Sequence, residues 1–175
     1  MTHRMLGTMM AAALVVGCAD AEPMATESVV VPVYSLVQGP ENFRTHMTGA
    51  EETPARPTQA QGQAIFQLSA DGSELRYKVL IADMENVTMA HIHLGVVGQA
   101  GPAVLWLYPL SPPAQLIPGP SQGVLNEGVA TAANLAGPLA GQPLSALVDA
   151  IRAGNAYANV HTSQFPAGEI RGQVR

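Results

Sequence analysis

The sequence predicts an all-β domain, a β-sandwich or Greek-key barrel of about eight short strands with one short helix. Three observations carry this. Gly and Pro are frequent, 17 and 14 in 175 residues, which favours many turns between short elements. From Glu41 onward, strand-like runs alternate with turn signals. One stretch, 143–153, carries apolar residues at helical spacing. A single Cys excludes an intrachain disulfide framework and a multi-Cys zinc site. The core must therefore hold by packing, for which a chain of this size suffices.

The first segment reads as an address. Arg4 precedes an apolar run from Leu6 to Val16 that is broken only by Thr8. At about 11 residues it is too short for a spanning helix, which needs ~20, and it matches a signal-peptide core. Leu14-Val15-Val16-Gly17-Cys18 resembles a bacterial lipobox. The resemblance implies a signal peptide over 1–17, cleavage before Cys18 and lipid on that residue, with the mature protein held on a membrane by its acyl chains. Ala19 follows, where an inner-membrane retention signal would be Asp. This fits an extracytoplasmic lipoprotein, sorted to the outer membrane or the periplasmic face if the source has two membranes. Residues 18–40 are expected to be a flexible tether. Val29–Val37, β-branched but holding Pro32, is suited to an edge strand at most.

The folded part is expected over 41–175. Phe43–Met47 is a first strand, and Glu51–Pro57 with two prolines is a loop. Gln63–Leu68 and Leu75–Ile81 flank Asp71-Gly72, a hairpin signal. Leu75, Tyr77, Val79 and Ile81 share one face at period two. Asn86-Val87-Thr88 is read as a turn, and Ala90–Leu94 and Ala103–Tyr108 are further strands. Leu110–Pro120, with Pro112, Pro113, Pro118 and Pro120, is expected to be a loop. Val124–Ala132 follows as a strand. Pro143 suits a helix start, Leu144, Leu147, Val148 and Ile151 form one stripe, and Gly154 suits the C-terminal cap. Ala156–Thr162 and Glu169–Val174 close the domain. Glu169 and Arg171 alternate on the last strand and are expected to form a modest surface pair, with a structural role near the His91–His93 strand as the alternative.

Three stretches carry a family resemblance: HMTGAEETP (46–54), GQAIFQLSADGSELRYKVLIADMENVTMAHIHLGVVGQAGPAVLWL (62–107) and GNAYANVHTSQFPAGEIRGQV (154–174). With the segments between, they resemble the CHRD, or chordin-type, domain over 41–175. AHIH-x-G and NVHT…P-x-GEIRGQ are the specific parts. Glu52-Thr53-Pro54 departs from the Val-Pro-Pro type usual there, in what is expected to be a loop. The resemblance implies an extracytoplasmic β-sandwich of immunoglobulin-like appearance and implies no defined reaction.

Charge and motifs narrow the function. Eight Lys+Arg against 13 Asp+Glu leave no basic face for nucleic acid. Gly-x-Ser-x-Gly, the P-loop and His-Glu-x-x-His are absent. The chemical suggestion is His91-x-His93, with His161 about seventy positions later. Side chains two apart on a strand share a face ~6.5–7 Å apart. Two or three imidazoles so placed suit copper or zinc, in a loose likeness to the copper side of copper/zinc superoxide dismutase. That enzyme's zinc loop and disulfide have no counterpart here. The competing reading makes the histidines structural polar residues bonded to backbone, Asn159 or Thr162. His46 is a weaker candidate ligand. Two functions follow: a lipid-anchored, non-catalytic module for an envelope or extracellular partner, or a copper- or zinc-binding envelope protein using His91, His93 and His161.

Overall fold

The computed structural model describes residues 40–175. The leader, Cys18, the tether and the Val29–Val37 run lie outside them. Half-buried strands dominate. They are β1 (Glu41–Thr48), β2 (Gln61–Leu68), β3 (Leu75–Leu94), β4 (Ala103–Tyr108), β5 (Ile117–Ala130), β6 (Ala156–Thr162) and β7 (Ile170–Gln173), with one helix, α1 (Leu144–Arg152). All pair antiparallel in one seven-stranded sheet. The path β2-β1-β7-β6-β3 returns on itself because β2 also pairs β3. This gives barrel-like closure. The closing seam is narrow: Thr48 pairs Arg171, and Arg44 and Arg175 exchange backbone hydrogen bonds at 2.7 and 3.0 Å.

The expected hairpin forms. Asp71 ties the β2–β3 turn by accepting from the Ser69 hydroxyl at 2.6 Å and from the Ser73 amide and hydroxyl. Helix α1 also matches, with Leu144, Leu147, Val148 and Ile151 buried. Pro143 is the residue before the first helical one, and Gly154 follows the C-cap at φ 71°.

Two expectations change, and the first reduces the strand count to seven. The runs 75–81 and 90–94 are one 20-residue strand, β3. Asn86 is not a turn that ends a strand. It and Asp83 sit at φ 55° inside β3, at register shifts against β5. Asn and Asp tolerate that left-handed backbone, so the strand bulges and bends while its ladder continues. The prolines at 118 and 120 also lie within a strand, β5, which starts at Ile117. β5 pairs as a strand only with β3, and such an edge tolerates a missing N–H.

The bulges set which face each side chain takes. In the first half of β3, odd residues Leu75, Tyr77, Val79 and Ile81 are buried in the core. The core positions then step by three, to Met84, Val87 and Ala90, before alternation resumes at Ile92. Three such steps reverse the phase. Ala90 and Ile92 enter the core, and His91 and His93 take the opposite face. β6 does the same: Ala156, Ala158 and Val160 join the core, and Tyr157, Asn159 and His161 alternate with them. Every residue of β6 is nonetheless buried. The outer face here is covered by the segments 49–58, 95–101 and 163–169, which hydrogen-bond to it or to one another. Among the described residues no helix is long and apolar enough to cross a membrane.

Candidate metal centre

Strand register assembles the site. β3 lies between β6 and β4, so Asn159, His91 and Trp106 stand in one row, with Tyr157 beside His93 in the next. His161 stands opposite Met89, one diagonal step from His91. Such diagonal neighbours are within reach of ring side chains. One nitrogen from each of His91, His93 and His161 lies within 4.8 Å of the other two. His91 Nδ1 and His161 Nε2 are 3.1 Å apart.

Backbone carbonyls orient two of the rings. His93 Nδ1 donates to the Gly101 carbonyl at 2.8 Å, and His161 Nδ1 donates to the Pro166 carbonyl at 3.0 Å. A carbonyl can only accept, so each Nδ1 carries the ring's proton and each Nε2 keeps its lone pair. This is the tautomer control that metal-bound imidazoles receive from their outer partners. Gly101 makes the first contact feasible, because a Cβ there would stand 1.6 Å from the Leu94 oxygen. The rings are otherwise starved of partners: His91 Nε2 and His93 Nε2 are buried without hydrogen bonds.

The site keeps its lone pairs free of protons. Burial, with the neighbouring imidazoles His161 and His93, pushes His91 down to about 3. Burial also pushes His161 down to about 4, against its bond to Pro166 and with help from His93. His93 is lowered too, mainly by burial and further by Arg171, with Gly101 and Asn159 opposing. Trp106 stands edge to face with His91 at 4.2 Å between centroids, and Tyr157 stacks on His93 at 4.9 Å. Three neutral imidazoles with converging nitrogens, walled by two aromatic rings, can hold one borderline metal ion.

The family model for the CHRD domain matches residues 43–174. The chain belongs to the CHRD domain family. No curated protein and no solved structure matches the chain. Membership suggests a binding or structural module. The signature stretches of this CHRD domain are the strands that build the site: AHIH is the end of β3, and NVHT is the end of β6.

The other residues marked in the sequence fall elsewhere. Cys18 lies outside the described residues. His46 is exposed on the outer face of β1, away from the trio. Glu169 and Arg171 do not pair at the surface. Both are buried, because the loops cover this part of the CHRD domain. Glu169 accepts 2.7 Å hydrogen bonds from Thr58 and Thr162, pinning the 49–58 loop to the sheet. Arg171 donates to the Val96 and Gln99 carbonyls at 3.0 and 2.9 Å and stacks 3.4 Å over Tyr157.

Sequence reasoning missed Glu52. It is buried, and burial raises its pKa, while the Thr53 N–H, Arg171, Arg56 and the Asn159 amide pull it down. Its Oε1 completes no hydrogen bond of good geometry. It stands where the sequence departs from the family pattern, but its burial was not legible there, because Asn159 and Arg171 reach it from β6 and β7. Asn159 was legible as a histidine partner by its two-residue spacing from His161, though not its contact with Glu52.

Proposed function

We propose that this CHRD domain is a lipid-anchored, extracytoplasmic module that binds one copper or zinc ion through His91, His93 and His161. The observation that carries the reading is the convergence of three imidazole nitrogens, two of them on rings whose other nitrogen is committed to a backbone carbonyl. Two ligands ~2.0–2.1 Å from one ion and about 100° apart lie about 3.1 Å from each other. The His91–His161 separation is 3.1 Å. Without metal, a proton on His91 Nδ1 fills that gap; an ion replaces it and draws in His93 Nε2. The lipobox at Cys18 supports the membrane part, and the absence of catalytic motifs supports a binding role.

The test is isothermal titration of the full chain, in detergent, with Zn(II) and Cu(II), beside His91→Ala, His93→Ala and His161→Ala. One-to-one binding by the wild type is expected, with each variant weakened by more than the ~10–100-fold that loss of an outer partner costs. Equal, weak binding by all four would overturn the reading. For the anchor, Cys18→Ala is expected to shift the protein from the membrane fraction to the soluble one.

A further inference from the structure

We propose that the side-chain carbonyl of Asn159 is the fourth ligand of this centre, and that Glu52 holds it in place. The proposal rests on the three-histidine reading above.

The argument starts from a confrontation of lone pairs. Asn159 Oδ1 lies 3.0 Å from His161 Nε2. The His161 proton is on Nδ1, bonded to the Pro166 carbonyl, so its Nε2 is an acceptor. The amide oxygen is an acceptor as well. Two acceptors at this distance repel unless a cation lies between them. A separation of 3.0 Å is what two ligands of one ion at ~2.0–2.2 Å show.

Turning the amide over would relieve the repulsion by offering its NH2 to His161. Glu52 opposes that. The Asn159 nitrogen and Glu52 Oε1 flank one point above Gly168, 3.0 and 2.2 Å from where a Cβ would stand. A reversed amide would set its oxygen against this buried carboxylate. Gly168, at φ 120°, leaves the space for both groups that any side chain would take. Arg56 approaches from the same side, donating through Nε to the Gly168 carbonyl at 3.2 Å. Glu52 thus acts one step removed from the ion, as the carboxylate behind a ligand does in other metal sites. Three imidazoles and one amide oxygen make a closed four-coordinate set. The hard oxygen favours Zn(II) or Cu(II) over Cu(I).

The test uses the full chain titrated with Co(II), whose visible bands report coordination number, and with Zn(II) in competition with a chelator. Asn159→Ala is expected to weaken Zn(II) binding at least about tenfold and to weaken the four-coordinate Co(II) bands as water enters. Asn159→Asp, nearly isosteric, keeps an oxygen toward the ion and is expected to keep those bands, at an affinity lowered by its second oxygen facing Glu52. Glu52→Gln, which lets the amide turn, is expected to weaken binding about tenfold. Wild-type affinity and an unchanged Co(II) spectrum in Asn159→Ala would overturn the fourth ligand; unchanged affinity in Glu52→Gln would overturn its holder. Should Asn159→Ala fail to fold, the two isosteric variants decide. His91→Ala separates the two levels. If it abolishes binding while Asn159→Ala keeps wild-type affinity, only this proposal falls; if the wild type itself binds no better than His91→Ala, the histidine reading falls with it.

Discussion

The two halves of β3 share a backbone and differ in what covers them. In the first half the outward residues Arg76 and Lys78 are exposed to water, and the inward ones form ordinary apolar core. In the second half the inward residues Ala90 and Ile92 are the same kind of core, but the outward ones, His91 and His93, are roofed by loops. An alternating strand normally solves the problem of its polar face by exposing it. Here the polar face is buried, and imidazole nitrogens are left without partners. Buried unpaired polar atoms cost free energy, so the second half gives up stability that the first half keeps. The proposed metal ion would give those nitrogens the partner they lack.

Acid should break the symmetry most strongly. The folded pKa values of all three histidines are lowered, to about 3 for His91 and about 4 for His161. Between those values and the unfolded value near 6.5, the unfolded chain binds more protons than the folded one. Stability is therefore full above about pH 6.5 and falls as pH drops below it. Glu52, with its raised pKa, works in the opposite sense and offsets only part of this. Melting of the metal-free protein in chelator is expected to drop by several degrees or more between pH 7.5 and 5. His91→Leu should flatten the slope. A melting temperature independent of pH over that range would show that the rings are not buried neutral.

Truncations should separate the halves next. Leu75→Ala, in the fully buried core of the first half, is expected to cost about 2–5 kcal/mol by denaturant titration, whatever metal is present. Glu169→Gln acts on the roof of the second half. It leaves one of the Thr58 and Thr162 hydroxyls without its carboxylate acceptor and is expected to cost about 1–3 kcal/mol. Loosening that roof should also weaken metal binding, which Leu75→Ala should not do at temperatures where it stays folded.

Much of this contrast was legible in the sequence, and the limits have physical causes. The first half of β3 announced itself, because Leu75, Tyr77, Val79 and Ile81 repeat at period two and Asp71-Gly72 turns the chain before them. Continuing that alternation would have put His91 and His93 into the core. What prevents it is three phase shifts around Asp83, Asn86 and Thr88, visible in the register with β5 and β6. A bulge is fixed by pairing with distant strands, so Asn86 read alone resembles a turn. The same holds for Pro118 and Pro120, which are tolerable only because β5 is an edge. The trio itself was legible through His-x-His spacing. Its depth was not, because the loops that bury it come from 49–58, 95–101 and 163–169. Glu169 and Arg171 looked like surface charges for the same reason.

The smallest effect expected is on the exposed face of the first half. Lys78 and Glu127 stand 2.7 Å apart across β3 and β5, both well exposed. Water screens such a pair, and ordering two long side chains offsets the attraction. Lys78→Ala is therefore expected to change stability by under about 1 kcal/mol, and by less at high salt. The change is a control on the comparison itself. Lys78 and His91 both point outward from β3, so a large loss at Lys78 would mean that outward residues matter along its whole length. A negligible one leaves burial under the loops, and not position on the strand, as what sets the histidines apart.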